Sequence, residues 1–274
     1  MSSRVSSRVS NRRKPVVCRA GTLGLTLGLG LLGALSILGG CRRSHVAPDW
    51  DRVAFALTLV RDEYGEQIEG GDFSIVPALA AVLDGSRAAL APLSRQTRPV
   101  DAEVAKLRAG LLAHQAPRLV SREAASLLAN LAQAGHLDRR PPALPDLRAG
   151  EAAYTLACVP CHGTLNGPLP PAAAHMVPRP PTPNRTALTP YELFNRITYG
   201  GAGTAMPSFA EALPERARWD IAFYLFAGRW PPCLPGAAHP APSLPASALA
   251  HLSDFDLWRR YGWGSSPCLR RNFH

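Results

Sequence analysis

From Asp49 to about Arg139, apolar residues recur three and four positions apart, the spacing of one face of a helix. Trp50, Val53, Ala54, Ala56, Leu57 and Val60 form the first stripe. A second apolar stretch runs from Ile75 to Leu93, with Leu79, Val82, Leu83 and Leu90 as core candidates. Asp101 is placed to cap a third helix reaching His114, and Ser121 a fourth reaching Ala134. Four amphipathic helices with short connections predict a small antiparallel bundle over residues 49–140.

Pro141-Pro142-Ala143-Leu144-Pro145 stops that pattern and marks a boundary. Asp146 then caps a helix running towards Cys158, and a Pro-rich loop without periodicity follows from Gly163 to Leu188. Thr189-Pro190-Tyr191-Glu192 has the form of a capping box with proline in the first turn, and Gly200-Gly201 closes that helix. Pro214 opens the next, where Trp219, Ala222, Phe223 and Phe226 share one face. Pro231-Pro232 ends it. The predicted class is all-α: a bundle, a second helical domain over 146–229, and a Pro-rich tail over 230–274. The stretch Cys233–Pro245 is expected to be extended, and Ala246–Tyr261 to form one helix.

Residues 1–40 change the meaning of the composition. The net charge is +10, but this stretch holds six basic residues and no acid; without it 24 basic residues face 20 acidic ones. The basicity therefore belongs to targeting, and nucleic-acid binding loses its support. Ala20–Gly40 is uncharged and dominated by Leu and Gly, the form of an export signal and long enough to span a bilayer. Leu38-Gly39-Gly40-Cys41 resembles a lipobox, which would leave Cys41 as a lipid-modified N-terminus; the competing reading is an uncleaved transmembrane anchor. Either places the remainder on the periplasmic side of a bacterial membrane.

Of six cysteines, Cys18 and Cys41 belong to this segment. Cys233 and Cys268 are an even pair in an oxidising compartment and a candidate disulfide. Cys158-Val159-Pro160-Cys161-His162 is the informative cluster. Two thiols three residues apart reach the two vinyl groups on one porphyrin edge, and the next residue, His162, is carried under the iron. This is the attachment pattern of one covalent haem c. A structural zinc site would need a second matching pair of ligands, and a thioredoxin-like pair a βαβ setting; neither is present.

The second axial ligand separates a carrier from an enzyme. Met206, in Tyr199-Gly200-Gly201-Ala202-Gly203-Thr204-Ala205-Met206-Pro207, lies far enough beyond His162 for the chain to pass to the opposite haem face. Its glycines permit close backbone approach, and Pro207 stiffens the loop. Met176 and His175 follow His162 too closely. Sulfur opposite imidazole favours Fe(II) and raises the potential, and two filled axial positions leave no place for oxygen or peroxide. The expected role is that of an electron carrier rather than an enzyme. A dihaem peroxidase would need a second CxxCH.

Residues 146–228 resemble a class I cytochrome c: Gly150 and Tyr154 match the small-then-aromatic pair that crosses the last helix near Phe223 and Tyr224, and Gly167-Pro168-Leu169 matches the loop after the haem histidine. Gly150–Tyr154, CVPCHG, Tyr199–Phe209 and Arg218–Tyr224 are also similar to the cytochrome region of bacterial cytochrome-fused iron permeases. The preceding helices and Leu252–Leu257 extend that similarity to about residues 50–260. The resemblance implies a haem partner for iron handling without the permease part, accepting electrons as Fe(II) is oxidised. The partner would be an inner-membrane iron permease or a respiratory complex, and the alternative role is a docking subunit of such a complex. Asp62, Glu63, Glu66, Glu69 and Asp72 cluster near the end of the first helix, where a solvated acidic face is favoured over an iron site.

Overall fold

The computed structural model describes residues 47–69, 73–182, 187–229, 243–262 and 266–274, and His45–His274 forms one compact unit. The described residues are helical, with one isolated bridge between Leu244 and Phe273 and no strand.

The first four helices are α1 (Trp50–Glu69), α2 (Val76–Ala89), α3 (Thr97–Leu112) and α4 (Pro117–Gln133). Helix α1 packs on α2 and α4, and also on a helix of the following segment. It is therefore buried well beyond the predicted stripe: Val53, Ala54, Phe55, Ala56, Leu57, Leu59, Val60 and Tyr64 are all inside. A helix enclosed on several sides loses its polar face. Helices α3 and α4 each begin one turn earlier than predicted. Ser94 accepts the amides of Gln96 and Thr97 at 3.1 Å each, starting α3 ahead of Asp101. Asp101 instead receives Arg87 through two hydrogen bonds, at 2.7 and 3.2 Å. Pro117 opens α4 as a first-turn proline, which leaves Ser121 inside the helix.

After the proline-rich linker come α5 (Leu147–Ala157), α6 (Val159–His162), a 3-10 turn at Pro171–His175, α7 (Pro190–Tyr199) and α8 (Glu215–Gly228). The predicted caps are present. Asp146 accepts from Arg148 and Ala149, and Thr189 and Glu192 form the reciprocal capping box. Helices α5 and α8 cross at Gly150. A methyl group there would sit 2.6 Å from the Asp220 carbonyl carbon and 2.9 Å from Tyr224 Cβ, so only glycine allows this approach. Asp220, buried in the crossing, accepts the Asp146 amide at 2.9 Å.

The tail differs from expectation. Ala246–Tyr261 is split into α9 (Ala246–Leu249) and α10 (Asp254–Tyr261), because Ser253 and Asp256 form a new capping box, and α11 (Ser266–Leu269) follows. Leu249, Leu257 and Leu269 are fully buried in the same apolar cluster as Tyr154, Phe194, Trp219 and Phe223. This cover explains why α8 is buried almost all round rather than on the one predicted face.

Candidate functional site

The cysteine pair lies where α5 gives way to the single turn α6. The amides of Cys161 and His162 both donate to the Cys158 carbonyl, at 3.1 and 2.8 Å, so the two thiols and the imidazole occupy one turn. Gly163 ends it with φ +70°, where a side chain would run into the Pro168 carbonyl. Tyr154 on α5 donates its phenol to the Gly163 carbonyl at 2.9 Å and so fixes the exit of the turn. Both thiols are free and partly accessible. Burial, helped by the neighbouring Cys161, pushes the Cys158 thiol up to about 12. Thiol–disulfide catalysis requires a thiolate, which the burial of Cys158 disfavours. Among the described residues no three His, Cys, Asp or Glu side chains group as a metal cage.

The imidazole of His162 is oriented from behind. Its Nδ1 lies 3.0 Å from the backbone carbonyl of Pro181. A carbonyl can only accept, so Nδ1 carries a proton, and in the neutral imidazole the lone pair is on Nε2. That is the tautomer a metal ligand needs, held by the type of outer contact that aims metal-binding histidines. Sequence reasoning found His162 but missed Pro181. The only trace of it was the crowding of prolines at Pro178, Pro180 and Pro181.

The Met206 loop is closed by short-range bonds. Gly200 adopts φ +84° and passes so close to Met206 and Pro207 that a side chain would meet the Met206 carbonyl at 2.7 Å. Gly201 donates its amide to that carbonyl at 3.1 Å, and the Met206 amide donates to Thr204 Oγ1 at 3.1 Å. The loop is tied back onto α7 by Phe209 N–H to the Ile197 carbonyl, 3.1 Å, and Ser208 Oγ to the Thr198 carbonyl, 2.7 Å. Met206 itself is half-buried. Met176 is half-buried beyond the 3-10 turn, and His175, at the end of that turn, is exposed.

Two thiols and an imidazole on one turn have the chemistry that holding haem c requires, and the Met206 loop offers a thioether. The other candidates fall elsewhere. Cys41 and Cys233 lie outside the described residues; Cys268 is buried and disulfide-bonded. Asp62 pairs with Arg61 at 2.6 Å and Glu63 with Arg196 at 2.5 Å, so these two acids are engaged in ion pairs. Asp72 lies outside the described residues, and no described helix is long and apolar enough to cross a membrane.

Residues 145–225 match the family described as cytochrome C oxidase, cbb3-type, subunit III. No curated protein and no solved structure matches the chain. The matched span begins just before the Asp146 cap and ends within α8, so it encloses the crossing helices, the cysteine pair and the methionine loop. The C-terminal part of the chain is a c-type cytochrome domain with helices preceding it, a domain that supports a haem-containing electron carrier or oxidase subunit.

Proposed function

We propose that the protein is a membrane-tethered, periplasmic cytochrome with one covalent haem c, and that it carries single electrons. Cys158 and Cys161 would form the thioethers, and His162 and Met206 would fill the axial positions. The observation that carries this reading is the 3.0 Å contact of His162 Nδ1 with the Pro181 carbonyl, on the same turn as both thiols. Bound there, haem would supply a one-electron Fe(III)/Fe(II) couple. The chain's own task is then to hold two strong axial donors rigidly and leave no coordination position for a substrate, which favours transfer of electrons over bond-making. Cys41 would tether the protein through lipid, with the apolar run Ala20–Gly40 as the alternative anchor. Cys233 and Cys268 would form a disulfide.

The electron partner we favour is an inner-membrane iron permease, with electrons taken as Fe(II) is oxidised; a respiratory complex is the alternative. The family match to an oxidase subunit supports a second role, as a docking subunit of such a complex. Met206→Leu tests the axial assignment: the far-red methionine–Fe(III) charge-transfer band should vanish and the potential fall, whereas an unchanged spectrum would exclude Met206. Protein carrying Cys158→Ala and Cys161→Ala separates the two roles, because a docking subunit would still capture its partner without haem.

A further inference from the structure

We propose that helices α1 and α2 are the seat of the distal-ligand loop, with Asp49 and Tyr199 as the positioning pair. This inference rests on the reading that Met206 binds the haem iron.

Helix α7 leads directly into the Met206 loop and is tied along its length to α1. At its start, Tyr191 donates to Asp51 at 2.8 Å and Glu192 pairs with Arg61 at 3.0 Å. Further on, Arg196 pairs with Glu63 at 2.5 Å, with both side chains largely covered. At its end, Tyr199 donates to both Asp49 oxygens, at 2.9 and 3.1 Å. The Tyr199 ring is gripped from two more directions: the Arg52 guanidinium lies 4.9 Å over it, and Phe55 is tilted against it at 5.2 Å. Asp49, Arg52 and Phe55 are spaced i, i+3, i+6, so one face of α1 with its leading residue holds the whole phenol. Burial and the Asp49 carboxylate push the Tyr199 hydroxyl well above its ordinary value, so it remains a donor at any working pH.

The loop itself also rests on the bundle. Ala202 and Tyr199 pack against the cluster built from α1 to α4. Gly203, at φ +68°, passes close enough to α2 that a side chain would meet Ala78 Cβ at 2.9 Å. Because the loop is bonded back to Ile197 and Thr198, a shift of the α7 terminus carries Met206 with it. A pocket of about 330 Å³, open to the surface and lined by Arg52, Phe55, Ala78, Val82, Gly85, Tyr199 and Gly203 among others, adjoins the seat.

The test uses holoprotein and reads the far-red band, the pH at which it is lost, and the potential. Tyr199→Phe should raise the population with methionine detached about tenfold, moving the loss of the band about one pH unit lower. Asp49→Asn, which keeps a neutral acceptor, should give a smaller shift in the same direction. Hydrogen exchange at the Gly201 and Phe209 amides should quicken in both. Gly85→Ala, a methyl added into the pocket, should leave band and potential at wild-type values. A band and potential indifferent to Tyr199→Phe, even with a lowered melting temperature, would overturn the seat. Met206→Leu run alongside separates the failures: a band that survives it overturns the ligand assignment and the seat together.

Discussion

Gly150→Ala puts the crossing of α5 and α8 to a quantitative test. In an open helix this change stabilises by about 1 kcal/mol, because glycine forfeits that much conformational entropy. Here the new methyl would lie 2.6 Å from the Asp220 carbonyl carbon and 2.9 Å from Tyr224 Cβ, and closer still to the carbonyl oxygen. Ordinary carbon–oxygen approach is about 3.3 Å, so the helices must separate by roughly 1 Å. Neither helix can yield locally, since the obstacle is backbone, and overpacking of this kind costs about 1–3 kcal/mol. The separation also strains the Asp220 contact to the Asp146 amide at 2.9 Å. Less the helix gain, the net destabilisation is up to about 2 kcal/mol and should lower the melting temperature by up to roughly 8 °C. Gly85→Ala is the matched control. Its methyl meets nothing nearer than Arg52 Nη1 at 3.9 Å, so the same change in α2 should raise stability. Thermal and urea unfolding of the two holoproteins give the comparison. A Gly150→Ala protein that melts at or above wild type would refute the crossing as described.

Two further outcomes follow from other parts of the molecule. Burial holds the His251 imidazole below its ordinary value of 6.5, although its Nε2–H donates to the Arg139 carbonyl at 3.0 Å. The unfolded chain then binds a proton near pH 6.5 that the folded one refuses, so stability is full above that pH and declines as pH falls below it; in urea titrations from pH 7 to 5, His251→Gln should flatten this slope, and an unchanged slope would exclude His251 as its source. Cys41→Ser should release the protein from membranes on fractionation, while continued retention would favour the transmembrane anchor.

The sequence disclosed what is encoded within a few residues. The Asp146 cap, the Thr189–Glu192 box and the turn at Gly200 each depend on neighbours one or two turns away, and each stands where the pattern placed it. Contacts between distant positions left no such trace. Tyr191 and Asp51 meet across 140 positions, Tyr199 and Asp49 across 150, and nothing local distinguishes these acids from a solvated helix start. The burial of α8 was hidden for a related reason. Asp220 and Arg218 break its apolar pattern, yet both are enclosed, Asp220 by the α5 cap and Arg218 by its stacking on Phe194. The split of Ala246–Tyr261 was hidden because the Ser253–Asp256 capping box interrupts a stretch whose few leucines are too sparse to show a period, while Cys233–Pro242 lies outside the described residues. Helix starts at Thr97 and Pro117 were missed by one turn, since Asp101 and Ser121 are also good capping residues.

The account turns on haem bound covalently through Cys158 and Cys161. The direct measurement is the pyridine haemochrome spectrum of protein from cells competent in cytochrome c maturation, before and after acid–acetone extraction. One c-type haem per chain, retained through extraction and lost in Cys158→Ala with Cys161→Ala, is the expected result. Colourless protein, or haem that leaves with the solvent, would contradict it.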